Sequence, residues 1–151
     1  MKKQISSEEA MKEFGEQIGR LVEGGEVIEL IGDIGAGKTT LTKGLAVGME
    51  ISETVQSPTF TINRVYSATN HRLLAHYDFY RLADAGIMAD ELHETAREPG
   101  AVVVVEWGDV VRAVLPEDHL QIVFASPSET DRELVMSAHG PRSERLLGEL
   151  A

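Results

Sequence analysis

Met11, Phe14, Ile18, Leu21 and Val22 recur at helical intervals near the start of the chain. That spacing lays one apolar stripe along a helix and predicts that this face meets a core. Ser6 and Glu9 stand just before the stripe at capping-box spacing, which predicts where the helix begins. Gly24-Gly25 predicts where it ends. Val27–Ile31 is then apolar except for Glu29 and predicts a strand, Gly32–Gly37 predicts a turn, and Thr39–Val47 predicts a helix leading out of it.

The middle of the chain changes character. Ser57–Tyr66 is rich in threonine, and with Leu73–Phe79 it predicts two strands around a hairpin turn at Thr69-Asn70-His71. Asp84–Arg97 reads as a helix that ends before Pro99-Gly100. Ala101–Val105 is a run of valines behind an alanine, the pattern of a strand buried on both faces. Asp109–Leu115 predicts a short helix stopped by Pro116. His119–Ala125 and Arg132–Ala138 alternate as a late strand pair, and Pro141–Leu150 predicts a terminal helix. Strands alternating with helices in this way indicate the α/β class.

Composition narrows the function. With 151 residues, 42% of them apolar, the chain is expected to form one domain spanning 1–151. It has no cysteine, which excludes a disulfide scaffold, a thiolate metal site and a cysteine nucleophile. No apolar run approaches the roughly 18 residues of a membrane span, and the N-terminus turns acidic where a signal peptide would turn apolar. A soluble cytoplasmic protein without membrane contact is expected. The net charge of −11 argues against independent binding of DNA or RNA.

One motif carries chemistry. Gly32 to Thr39 reads Gly-Asp-Ile-Gly-Ala-Gly-Lys-Thr and fits G-x-x-x-x-G-K-[ST] in full. Its glycines let successive backbone N–H groups converge on a phosphate, and the following helix adds the positive end of its dipole. Lys38 is expected to meet the β/γ-phosphates and the Thr39 hydroxyl to ligate Mg²⁺. With glycine at about 7%, and about 6% lysine and 12% Ser plus Thr assumed, a chance match in a chain this long is roughly half a percent. Such a loop needs an acidic partner at a neighbouring strand end. Glu106, straight after four valines, is the first candidate, and Asp78 is a weaker one. A GTPase would carry D-x-x-G and N/T-K-x-D. Asp78-Phe79-Tyr80-Arg81 lacks that glycine and no N/T-K-x-D occurs, so ATP is favoured. A small-molecule kinase remains the rival, although the arginines are scattered rather than grouped on a lid. The histidines show no metal-ligand spacing; His76 shares a strand face with Asp78, where either packing or a hydrogen bond to the metal-side carboxylate would suit it.

Four segments in order resemble the bacterial TsaE family of ATPases: residues 33–40, Ser57-Pro58-Thr59-Phe60, His76-Tyr77-Asp78-Phe79-Tyr80-Arg81-Leu82 and Glu106-Trp107. The resemblance runs from about Ser7 to about Phe124. It implies a three-layer P-loop NTPase-like domain with a mostly parallel sheet and antiparallel additions. It further implies ATP and Mg²⁺ as ligands, slow ATP hydrolysis, and work with TsaD and TsaB in threonylcarbamoylation of adenosine 37 in tRNAs reading codons that begin with A. Contact with tRNA would be mostly indirect, through that complex.

Residue by residue, the resemblance places Gly35, Ala36, Gly37, Lys38, Thr39 and Thr40 around the phosphates, counts Asp33 among the nucleotide-binding residues, and puts Thr39 and Glu106 on Mg²⁺ and Trp107 beside the nucleotide. Lys38, Asp78 and Glu106 form the catalytic set. Thr59 resembles a γ-phosphate sensor, and Arg81 a cationic group for transition-state charge or partner docking. Three positions depart from the family pattern. Met11 stands where relatives often have a threonine that would touch the purine. Met49-Glu50-Ile51 replaces a common L-G-I, and Gly108 replaces a proline.

Overall fold

The computed structural model describes residues 1–33, 35–56, 63–68, 70–79, 86–107 and 115–151. In chain order the elements are β1 (Lys2–Ile5), α1 (Glu8–Leu21), β2 (Val27–Ile31), α2 (Lys38–Gly48), β3 (Asn63–Ser67), β4 (Leu73–Asp78), α3 (Ile87–Ala96), β5 (Ala101–Glu106), β6 (Leu120–Ala125), β7 (Arg132–Ala138) and α4 (Pro141–Leu150). The seven strands form one sheet in the order β1-β7-β6-β2-β5-β4-β3. Its centre, β6-β2-β5-β4, is parallel. β7 adds to β6, β1 to β7 and β3 to β4 in antiparallel pairings.

The valine run explains the layering. Val102 and Val104 belong to a core with Phe14, Ile18, Leu41, Leu45 and Leu146 of α1, α2 and α4. Val103 and Val105 belong to a second core with Tyr77, Phe79 and Leu92, on the α3 side. One strand thus feeds both cores through its alternating residues, as a central strand between two helical layers must. Glu29, the one charge in β2, is buried and accepts a hydrogen bond from Gln121 Nε2 at 3.2 Å.

Several boundaries differ from the sequence expectation. β1 was not foreseen; its four residues carry no apolar run, only Ile5 among them being buried, and pairing with β7 makes the strand. The helix cap is Ser7, not Ser6: the Ser7 hydroxyl oxygen accepts from Ala10 N–H at 3.0 Å, so Glu9 cannot close a capping box with it. α1 stops at Leu21, before the two glycines, whose positive φ values instead turn the chain into β2. The hairpin places Asn70 and His71 in the left-handed region. The expected Asp109–Leu115 helix, residues 57–62, and Arg81 lie outside the described residues except for Leu115.

The end of α2 is where the family departure at Glu50 acquires a cost. Ile51 N–H bonds Ala46 O at 3.0 Å and Glu50 N–H bonds Val47 O at 2.9 Å, the two bonds of a Schellman ending. That motif puts Glu50 at φ 63, a conformation that suits glycine. A non-glycine residue pays about 1–2 kcal/mol there. Glu50→Gly is therefore expected to raise stability by roughly 1 kcal/mol after allowing for the greater freedom of the unfolded chain. Urea unfolding of the two proteins would check this; an unchanged or lowered midpoint would contradict it.

α4 is capped from a distance. Gly140 has no side chain to cap it, and Asp118 accepts from Arg142 N–H and Ser143 N–H, each at 2.9 Å, and from the Ser143 hydroxyl at 2.7 Å. Partial burial works against ionisation of Asp118, but these donors and Arg142 outweigh it and hold the pKa below 3.8. Because the folded pKa is lowered, the stabilisation is complete above that ordinary value and is lost as pH falls through the folded one. Asp118→Ala is expected to cost about 1 kcal/mol at neutral pH. The cost should vanish in acid, as parallel denaturant titrations would show.

Candidate functional site

β2 ends at Ile31 and the chain turns through Gly32–Gly37 into α2. Gly35 and Gly37 have φ 84 and 105, so a side chain at either would be strained. Space decides the rest: a methyl on Gly35 would meet nothing within 4 Å, whereas one on Gly37 would strike Met11 Cε. The loop thus keeps an open concavity over Gly35, and Gly37 heads α2 without a side-chain cap. Uncapped N–H groups at a helix start are the donors an anionic group needs.

Lys38, the first residue of α2, is only 5% exposed. Its ammonium donates to Gly32 O at 2.6 Å, lies 3.8 Å from Glu106 Oε1, and sits 4.2 Å from the centre of the Trp107 ring. Burial pulls its pKa below 10.5, and Glu106, Asp78 and Asp33 partly offset this. Three carboxylates therefore favour the charged form of one ammonium, Glu106 most strongly.

Strand register explains how they meet. Glu106 is paired with Leu30 of β2 on one side and with Asp78 of β4 on the other. Glu106 thus ends the parallel strand next to β2, which feeds the loop, and Asp78 ends the parallel strand one further out; the carboxyl ends of such strands are where open α/β sheets bind ligands. Glu106 is buried, and its Oε2 is 2.5 Å from His76 Nε2. Its burial separates Glu106 from an ordinary strand-end charge, which would face solvent. Trp107 follows in the left-handed region at φ 57, a conformation costly for a bulky residue. Its ring lies over Lys38. Asp33 is exposed beside the loop, and Thr39 and Thr40 are half-buried on the first turn of α2.

A cleft of about 530 Å³ opens on the other side of the loop. Gly35, Ala36, Gly37 and Thr40 form one wall, Ser7 and Met11 of the α1 start form a second, and Arg132 closes the third. Arg132 donates to Ser128 O at 3.1 Å and Asp131 O at 2.9 Å, and reaches Gly35 O at 3.5 Å. Sequence reasoning missed Arg132 and Ser7 as site residues. Only the unforeseen pairing of Ile5 with Arg132 brings the α1 start and the β7 start to the loop. Met11 is buried in that wall, so it offers an apolar surface where the family pattern would offer a hydroxyl. Thr59, Arg81 and Gly108 lie outside the described residues.

A glycine-rich turn between a parallel strand and a helix, with helices on both sheet faces, defines a P-loop NTPase-like fold. The TsaE family model, described as threonylcarbamoyl adenosine biosynthesis protein TsaE, matches residues 5–134. The Bacillus subtilis tRNA threonylcarbamoyladenosine biosynthesis protein TsaE is 40% identical over 129 residues, 84% of this chain and 78% of that protein. The Treponema pallidum protein of the same name is 38% identical over 124 residues, 82% of this chain and 90% of its own. The crystal structure of Bacillus subtilis YdiB superposes with a TM-score of 0.81 at 33% identity, covering 99% of this chain and 93% of that one. The chain belongs to the TsaE family. Among the described residues no helix is long and apolar enough to cross a membrane.

Proposed function

We propose that this protein binds and slowly hydrolyses Mg·ATP, and that the cycle supports formation of threonylcarbamoyladenosine at position 37 of tRNA together with TsaD and TsaB. The observation that carries the reading is the buried ammonium of Lys38, held between the glycine loop and the strand-end carboxylate of Glu106, with Asp78 paired beside Glu106. Names of the family and of its curated relatives support the pathway. They favour it over phosphoryl transfer to a metabolite.

The residues fit the ligands. The open space over Gly35 can take phosphate oxygens that a neighbouring side chain would exclude. Oxygen donors from Thr39 and Glu106 suit a hard cation such as Mg²⁺, with Asp78 as a second acid nearby. Bound Mg²⁺ would neutralise charge on the β- and γ-phosphate oxygens. Lys38 would leave Gly32 O and the Trp107 face to meet the same oxygens. Residues 35–40 would position the chain of phosphates, and catalysis would rest on alignment and electrostatics. Asp33 and Trp107 would flank the nucleotide. The cleft beyond the loop would take ribose and base, with Met11 giving the base an apolar seat.

At a net charge of −11 the surface repels both ATP and RNA, so phosphate binding must be local and tRNA must be met mostly through partner proteins. A cytoplasmic location follows from that role. Calorimetric titration with ATP in the presence and absence of Mg²⁺, followed by phosphate release alone and with TsaD and TsaB, tests the reading. Saturable, Mg²⁺-dependent binding with release stimulated by the partners is expected. Absence of binding would refute it.

A further inference from the structure

His76 is completely buried, and of its two ring nitrogens only Nε2 has a partner. Nδ1 makes no hydrogen bond to any described residue. A histidine that merely filled the core would leave two polar atoms there for no return, a penalty apolar residues avoid. Among the described residues its one polar contact is to Glu106 Oε2. A carboxylate oxygen accepts, so Nε2 is the donor in that contact, while Nδ1 has no hydrogen-bond partner among the described residues.

The two oxygens of Glu106 are thus divided. His76 holds Oε2, while Oε1 faces Lys38 at 3.8 Å. Register makes the division possible: Asp78 is paired with Glu106, and His76, two residues earlier, lies on the same sheet face with its ring beneath the carboxylate. Without His76, Lys38 would be the remaining ionic partner of Glu106 among the described residues. Lys38 is the group that nucleotide phosphates would draw away.

We propose that His76 is a positioning residue: it locks the Glu106 carboxylate so that Oε1 stays directed at the divalent cation accompanying the nucleotide, after Lys38 has turned to the phosphates. This rests on the Mg·ATP reading above. It assigns His76 no contact with substrate. A residue hydrogen-bonded behind a ligand in this way typically sets metal affinity by about 10- to 100-fold.

The test compares wild type, His76→Leu and His76→Gln, the glutamine amide being able to replace the Nε2 donor. ATP binding is measured in EDTA and then across a Mg²⁺ titration, with thermal unfolding of each variant as a control. His76→Leu is expected to bind ATP in EDTA as wild type does, and to need about 10- to 100-fold more Mg²⁺ for the half-maximal effect. His76→Gln is expected to recover most of that loss. An unchanged Mg²⁺ midpoint in His76→Leu, or a glutamine variant no better than leucine, overturns the proposal. Nitrogen-15 NMR of the wild type decides it even if the leucine variant does not fold: a proton on Nδ1 rather than Nε2 overturns it as well. Failure of wild type to bind ATP would be a different result, one that removes the functional reading itself.

Discussion

Lys38→Ala is expected to weaken Mg·ATP binding by one to two orders of magnitude and to slow hydrolysis further. A charge-assisted hydrogen bond contributes about 1.5–3 kcal/mol, which is roughly 10- to 150-fold in Kd. Loss of a group that stabilises developing charge in the transition state costs about 10²–10³ in rate. The protein should remain folded, because Lys38 is a buried ammonium whose contacts are one carbonyl, a carboxylate at 3.8 Å and an aromatic face. Calorimetry of the variant with Mg·ATP, alongside its unfolding curve, measures both. Unchanged affinity in a folded variant would remove the phosphate-loop assignment.

Gly44→Ala is expected to be the most damaging of small substitutions to the fold. α1 and α2 cross with backbones in contact through Gly15 and Gly19 on one helix and Gly44 and Gly48 on the other. A methyl on any of the four would come closer than 3.0 Å to a backbone oxygen of the facing helix, that of Lys12 in the case of Gly44. Rigid backbone cannot move aside as a side chain does, so the helices must separate. Overpacking of this kind costs about 3 kcal/mol or more, roughly 6–12 °C in Tm for a chain of this length. The functional consequence is specific. α1 and its cap carry Met11 and Ser7 of the cleft, and α2 carries Lys38 to Thr40. Their contact ties the cleft to the glycine loop, so if the proposed ATP site is right, Gly44→Ala should also weaken ATP binding at temperatures where it stays folded. Wild-type unfolding behaviour for Gly44→Ala would show that the crossing is looser than these distances.

The parts of the site legible in the sequence are those built from one local run. Gly32 to Thr39 declares its backbone geometry in its own spacing, and the valine run before Glu106 declares both the burial of β5 and the carboxylate that ends it. The matching of Asp78 with Glu106 required only that two strands be parallel neighbours. What escaped was set by pairing between distant segments. β1 has no apolar signature because it lies at the edge of the sheet beside β7, and without it neither Arg132 nor Ser7 could be placed at the loop. Ser6 and Ser7 compete for the same cap, and pattern alone does not separate adjacent serines. From sequence alone, His76 suits packing and a hydrogen bond equally; the structure shows its Nε2 against Glu106 Oε2, its partner among the described residues.

The acidity of the chain takes on a definite meaning in this account. A protein of net charge −11 can serve tRNA modification if its nucleotide site acts through partner proteins. The most direct test is reconstituted threonylcarbamoylation of tRNA by TsaD and TsaB under multiple-turnover conditions, with this protein, without it, and with Lys38→Ala. Repeated turnover with the wild-type protein and ATP, and none beyond the background with Lys38→Ala or without the protein, is the predicted result. Equal turnover in all three reactions would contradict the account.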